Sequence, residues 1–148
     1  MNKTAVALIV GLLLIIAVAV LISSLPGDRI TIIKEELDQA SASGNGVITR
    51  QIEVNRGDSF EMSLYAHWSA GMKWSASFDG SGIVRQEGPR EFTNDGPPLS
   101  TGSPGHEEWT FKAVAAGEAT ITLTYGSVAG LPDAPQSVNT LILVVEVR

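Results

Sequence analysis

The side chains best suited to chemistry in this sequence are two histidines and the carboxylates beside one of them. His67 and His106 lie in predicted loops, and Glu107 and Glu108 follow the second histidine directly. Imidazole and carboxylate groups are zinc ligands, and imidazole is also a general base near neutral pH. Two histidines without a third ligand at a fixed spacing are a weak metal signal, and exposed loop histidines explain them more simply. We therefore predict no metal site and no cofactor.

Motifs of the common hydrolases and nucleotide-binding enzymes do not occur in the sequence. It has no nucleophile elbow, no Gly-rich phosphate loop and no His-Glu-x-x-His zinc motif. It also has no cysteine, which excludes disulfide bonds, thiolate metal sites and a thiol nucleophile. We predict that the protein is not an enzyme.

The length and the net charge of the chain limit the number of domains and the kinds of partner that it can have. The chain has 148 residues, enough for about one domain, with 16 acidic and 10 basic side chains and a net charge of −6. Binding to nucleic-acid phosphates needs a basic surface, so no nucleic-acid partner is expected.

The N-terminal segment has the features of a membrane anchor. Ala5 to Ser23 is a run of 19 residues without charge, and as a helix it would be roughly 28 Å long, close to the thickness of a bilayer core. Lys3 precedes the run, which predicts a single-pass protein with a cytoplasmic N-terminus and an extracytoplasmic C-terminal domain. The alternative is a signal peptide cleaved after Ser24, although this apolar run is longer than is usual for a signal. We assign residues 1–27 to the anchor.

The next segment, 28–46, is predicted to be a juxtamembrane linker. Ile30, Ile32 and Ile33 favour a strand, whereas Lys34–Leu37 favours a helical turn, and both alternatives stay open. The small residues from Ala40 to Gly46 are typical of a loop.

From Val47 onward apolar and polar residues alternate with a period of two, as in strands buried on one face. The alternating apolar positions include Trp74, Ala76 and Phe78; Trp109, Phe111 and Ala113; and Ala119, Ile121, Leu123 and Tyr125. Residues 140–147 are almost continuously apolar, which predicts a central strand covered on both faces. Three prolines and three glycines in 94–105 predict a long exposed loop. At least six short strands indicate an all-β, antiparallel sandwich over residues 47–148.

Three pieces of this domain resemble the chagasin-type inhibitors of papain-like cysteine proteases. The first family loop reads Asn-Pro-Thr-Thr-Gly-aromatic-x-Trp. The corresponding stretch here is His67-Trp68-Ser69-Ala70-Gly71-Met72-Lys73-Trp74, in which Gly71 and Trp74 fit.

The second family loop is Gly-x-Gly-Gly before an aromatic strand, and here it reads Gly102-Ser103-Pro104-Gly105. The strand pair 111–125 that follows, with its Ala-Ala-Gly connection and its final Tyr125, is the closest match. The third family loop, Arg-Pro-Trp, is replaced by Gly126-Ser127-Val128-Ala129.

The resemblance implies an immunoglobulin-like sandwich whose loops occlude a protease cleft reversibly, without a cofactor or a covalent step. The implied protease-binding residues are His67, Trp68, Ser69, Ala70, Gly71, Gly102, Ser103, Pro104, Gly105, Ser127, Val128 and Ala129. Trp68 replaces the family's proline, and we hypothesise that its ring substitutes for the missing third-loop tryptophan. The alternative is a non-inhibitory interaction or accessory module of a membrane or surface assembly, with another protein as partner, because fold does not fix function.

Overall fold

Two five-stranded β-sheets account for most of the computed structural model, which describes residues 22–23, 29–80, 82–98, 100–127 and 139–148. The strands are β1 (Ile22–Ser23), β2 (Arg29–Ile32), β3 (Val47–Val54), β4 (Ser59–Ala66), β5 (Met72–Asp79), β6 (Val84–Gln86), β7 (Glu91–Asn94), β8 (Gly105–Ala113), β9 (Gly117–Ser127) and β10 (Asn139–Val147). Within those ranges an α-helix, α1 (Lys34–Ala42), follows β2, and a 3₁₀ turn, Trp68–Ala70, follows β4.

The first sheet has the strand order β1-β3-β10-β9-β5, and the second has β2-β4-β8-β6, with β7 also paired to β8. The sandwich is mixed rather than antiparallel, because β1–β3, β3–β10 and β2–β4 are parallel pairs. Parallel neighbours need a long crossover connection. Between β2 and β4 that connection consists of α1 and β3, and β3 lies in the other sheet.

The two sheets enclose one core, built from the inward positions of each strand. In β8 every second residue from Gly105 to Ala113 is buried, which confirms the predicted period of two. The predicted core aromatics Trp74, Trp109, Phe111 and Tyr125 are all buried. Phe78, predicted to face the same way as Trp74, does contact the buried ring of Phe111, with centroids 5.9 Å apart, but it remains 41% exposed. Its strand, β5, is an edge strand in which Trp74 is the single buried residue.

The predicted central strand is β10, which lies between β3 and β9. The burial of its two faces differs from the prediction that both are covered. Alternate residues are buried, but the intervening ones, Ile142 and Val144 among them, are half-buried. The strand therefore has one core face and one partly solvated face.

The segment expected to be a linker folds with the domain. It contains both structures that the sequence left open: a strand, β2, followed by a helix, α1. Ile30 and Ile32 from the strand, and Leu37 and Ala40 from the helix, belong to the core. Apolar burial thus makes residues 29–42 part of the sandwich. The acidic side chains in the first turn of α1 suit the positive end of a helix dipole.

Most of the predicted membrane anchor, residues 1–21 and 24–27, lies outside the described residues. Ile22 and Ser23, at the end of the predicted span, form strand β1 rather than helix and pair with Gln51 and Ile52. Within the part of the chain that the structure describes, no helix is long and apolar enough to cross a membrane.

Asn139 is a buried polar residue that joins α1 to the sandwich. Its amide nitrogen donates to the Leu37 carbonyl at 3.0 Å, and it also lies 3.1 Å from the Ser41 hydroxyl.

Asn139→Ala is expected to lower the free energy of unfolding by about 1–3 kcal/mol, because the buried carbonyl loses its donor. Urea unfolding measures this change. Ser41→Ala should have a smaller effect, and equal midpoints for wild type and Asn139→Ala would refute the prediction.

Candidate binding surface at the loop end of the sandwich

Strand pairing brings the first two predicted loops, and Ser127 of the third predicted segment, to one end of the sandwich. The first loop, 67–71, connects β4 to β5. Ala66, just before it, pairs with Gly105, which follows the second loop, while Met72, just after it, pairs with Ser127 at the end of β9. The segments that the sequence places far apart therefore begin or end at neighbouring strand positions. We call this region the loop end.

The first loop is a compact turn that is held by its own backbone. The amides of Ala70 and Met72 both donate to the His67 carbonyl, at 3.0 and 3.1 Å. Gly71 closes the turn with a φ of 76°, a left-handed conformation that favours glycine. Ser69 and Ala70 are exposed at the tip. The first loop is therefore a preformed turn.

Trp68 lies against the side of the domain rather than projecting freely from the turn. Its ring stacks on Phe92, with centroids 4.7 Å apart and an interplanar angle of 13°. The Lys73 ammonium lies 4.2 Å from the ring centroid. Trp68 is half-buried, so part of its ring remains available to a partner.

The second loop contacts the first directly. The His67 imidazole Nε2 lies 3.0 Å from the Gly102 carbonyl oxygen. Gly102 and Pro104 are exposed, and Ser103 is half-buried beside the Ser100 hydroxyl at 3.2 Å. The exposed loop predicted over 94–105 is therefore shorter, because β7 extends to Asn94 and β8 begins at Gly105.

Gly105 differs from the other described residues that were predicted to make contact, because it is buried in strand β8. A Cβ atom at this position would lie 1.9 Å from the Thr93 carbonyl oxygen. Gly105 thus permits the close approach of β7 and β8 below the loop. In the structure it therefore lies under the second loop, where β7 and β8 pair, and not on the exposed surface.

The third predicted segment is only partly described. Ser127 is the last residue of β9 and lies opposite Met72. Val128 and Ala129 lie outside the described residues.

Beneath the first loop lies a buried carboxylate that the sequence analysis did not identify as part of the site. Glu107 is 0% exposed, and its oxygens accept hydrogen bonds from the Trp68 indole at 2.7 Å, the Trp74 amide at 3.0 Å and the Trp109 indole at 3.1 Å. The Arg90 guanidinium lies 3.7 Å away. The period of two in β8 was a usable signal, since it places residues 107, 109 and 111 on one face.

The two histidines do not form a common site. His67 contacts the second loop, whereas His106 Nδ1 lies 2.9 Å from Asp95 and its Nε2 lies 3.5 Å from Glu108. Among the described residues no three potential metal-binding side chains come together.

Tyr125, which is buried at the base of the loop end, has a raised pKa. Burial is the main cause that raises its pKa to about 12, and the nearby Tyr65 acts in the same direction. An unfolded tyrosine titrates near pH 10. The folded state therefore holds its proton more tightly, and this contribution to stability is complete below pH 10 and is lost as the pH rises towards 12.

Tyr125→Phe is accordingly expected to flatten the decline of stability between about pH 10 and 12. Thermal unfolding of wild type and variant across pH 8–12 measures the effect. The wild-type melting temperature should fall more steeply over that window, by an amount equivalent to about 1–2 kcal/mol. Parallel declines in the two proteins would contradict this assignment.

Comparison with known proteins identifies the family of the chain and supports its fold. The sequence matches the model of the chagasin family peptidase inhibitor I42 over residues 53–141, which is more than half of the chain. None of the curated proteins compared with the chain is significantly similar to it.

Two solved structures share the fold at low sequence identity. One is the cysteine protease inhibitor EhICP2 from Entamoeba histolytica, with a TM-score of 0.57 and 16% identity, covering 86% of this chain and 98% of that one. The other is Amebosin, with a TM-score of 0.51 and 24% identity, covering 69% of this chain and 96% of that one. Identities this low support the fold alone. The family match covers the strands that carry the first and second loops, and it confirms the resemblance noted in the sequence. The chain therefore belongs to the chagasin family of peptidase inhibitors, whose members are not enzymes.

Proposed function

We propose that this protein reversibly inhibits papain-like cysteine proteases by placing its loop end in the active-site cleft. The observation that carries the proposal is the convergence of the first and second loops, joined by the contact between His67 and the Gly102 carbonyl, in a chain of the chagasin family. A preformed surface suits cleft occlusion, since little conformational entropy is lost on binding.

The contact surface consists of the exposed tips of both loops and the residues after Tyr125. Ser69 presents a hydroxyl at the first tip, and Gly102 and Pro104 are exposed at the second. Inhibition of this kind is steric and needs no cofactor and no covalent step. The third-loop tryptophan of the family is missing, so we assign the aromatic anchor to the half-buried Trp68.

Steady-state inhibition of papain by the full chain tests this function. Competitive inhibition with a constant of about 1 µM or tighter, equivalent to roughly −8 kcal/mol of binding, is the expected result. The inhibitor should be recovered intact, because the mechanism includes no cleavage. Absence of inhibition at tens of micromolar, roughly −6 kcal/mol or weaker, would refute the proposal and favour a non-inhibitory interaction module.

The proposal extends to location: a single-pass anchor holds the inhibitor on the extracytoplasmic side of the cell membrane. Its support is the uncharged apolar run that begins at Ala5, with Lys3 before it. Strand β1 begins at Ile22 and leaves 17 residues for the span, 5–21. Seventeen residues give about 26 Å of helix, near the lower limit for crossing a bilayer.

Membrane fractionation with protease digestion of intact cells tests the location. The full-length chain should stay in the membrane fraction after an alkaline wash, and added protease should remove the domain from outside. Recovery of a shortened chain in the soluble extracytoplasmic fraction would instead identify a cleaved signal peptide.

A further inference from the structure

The carboxylate of Glu107 is enclosed by hydrogen-bond donors from three parts of the chain. Trp68 is in the first loop, Trp74 is two residues into β5, and Trp109 is on the same strand as the carboxylate. Arg90, from the segment before β7, adds a positive charge at 3.7 Å. A buried carboxylate is strongly unfavourable without such partners, and these donors supply them.

We propose that Glu107 is the positioning residue of the protease-binding first loop. The inference rests on the proposed function and deepens it: Glu107 touches no protease itself but fixes the residues that do. The same carboxylate oxygen accepts from the Trp68 indole and from the Trp74 amide, one within the loop and one just after it. Loop residues 69–71 therefore span two points that are held by one atom.

The arrangement also connects the two sheets beneath the loops. Trp74 belongs to β5 of the first sheet, whereas Glu107 belongs to β8 of the second. The Trp74 amide donates to Glu107, and the Trp74 carbonyl accepts a hydrogen bond from Arg90. The amide of Trp74 is thus held by a strand of the second sheet, and its carbonyl by the segment that connects β6 to β7.

A carboxylate is required because an amide has the wrong hydrogen-bonding groups. An ionised glutamate accepts at both oxygens and donates nothing, whereas glutamine replaces one oxygen with an NH₂ donor. In Glu107→Gln that NH₂ faces either the Trp109 indole N–H or the N–H groups of Trp68 and Trp74. In either orientation an NH₂ donor faces an N–H donor, so at least one hydrogen bond is lost, although the size of the side chain is nearly unchanged.

The test compares Glu107→Gln with Glu108→Gln in the full chain, purified in a mild detergent. Glu108 is the adjacent residue on the opposite face of β8, with its side chain 39% exposed and paired with Arg29. Three quantities are measured: the indole N–H resonance of Trp68, the hydrogen exchange of amides in 67–71, and the inhibition constant for papain.

In Glu107→Gln we expect the Trp68 indole resonance to shift and the loop amides to exchange at least about tenfold faster, the factor given by 1.4 kcal/mol of lost restraint. Amides in the central strand β10 should change less than those in the loop, which a general loss of stability would not produce. The papain inhibition constant should rise by about tenfold. Glu108→Gln should leave all three quantities within about twofold of wild type.

Unchanged loop exchange and an unchanged Trp68 resonance in Glu107→Gln would overturn the proposal. If the wild type does not inhibit papain, the proposed function fails, while the resonance and exchange measurements still decide the positioning role. If Glu107→Gln does not fold, Trp68→Phe replaces it, because phenylalanine keeps an aromatic ring beside Phe92 but has no N–H to donate to Glu107. Faster exchange of the loop amides in Trp68→Phe would support the role, and wild-type exchange would overturn it.

Discussion

Gly105→Ala is expected to destabilise the domain strongly, because Gly105 is buried in β8 directly below the second loop. The added Cβ would lie 1.9 Å from the Thr93 carbonyl oxygen, which is part of the paired backbone of β7 and cannot move as a side-chain tip can. Relieving the clash requires separation of β7 and β8. We expect a loss of about 3 kcal/mol in the free energy of unfolding, at the upper end of overpacking effects.

Chemical denaturation of Gly105→Ala and Gly82→Ala measures this loss against a matched control. An alanine Cβ at Gly82 meets no atom within 4 Å, and this glycine lies in an exposed turn. Gly82→Ala should unfold within about 0.5 kcal/mol of wild type. Equal midpoints for the two variants would show that the approach of β7 to β8 is looser than the structure indicates.

Trp68→Ala is expected to have the largest effect on protease binding. The ring is part-exposed at the loop end, fixed by stacking on Phe92 and by its hydrogen bond to Glu107. Rigid, oriented aromatics are typical binding hot spots, worth about 2 kcal/mol or more. Because the family's third-loop tryptophan is absent here, we expect the papain inhibition constant to rise by roughly 30-fold.

Phe78→Ala provides the matched control for this variant. Phe78 is another partly exposed aromatic, but it lies near the far end of β5, next to Asp79. Its removal should change the inhibition constant by less than about twofold, as is usual for positions outside an interface. If Trp68→Ala inhibits papain as well as wild type does, Trp68 is not the anchor, and the loop backbones must supply the affinity.

The strands of the sandwich were predictable because their side chains alternate strictly. In β8 and β9 every inward position is apolar or small apart from Glu107, so a period of two identified both strands and the buried aromatics Trp109 and Tyr125. Phe78 fits the same alternation yet is exposed, because the pattern gives the face of a strand but not where the opposing sheet ends.

The parallel strand pairs and the folded segment 29–42 were not predictable from local patterns. β2 has only four residues, and its burial depends on pairing with β4, whose paired residues lie 32 positions further along the chain. Such short elements acquire their stability from tertiary contacts rather than from local propensity. The apolar residues of β2 and α1 indicated burial, but not which sheet they would join.

The loop end was predictable through family resemblance, whereas its internal support was not. The motifs around Gly71 and Gly102 located two loops that the structure brings into contact. Glu107 is charged, so its sequence position beside His106 suggested a surface or metal role. Its burial becomes intelligible only when donors from Trp68, Trp74 and Trp109 converge on it in three dimensions.

Hydrogen exchange of the full chain with and without papain tests the central claim most directly, namely that the loop end is the protease-binding surface. The account predicts slower exchange in 67–71 and 100–104 on addition of papain. It also predicts no change in the turn 55–58, which connects β3 to β4 at the opposite end of the sandwich. Protection at 55–58, or on a sheet face with the loops unaffected, would contradict the account.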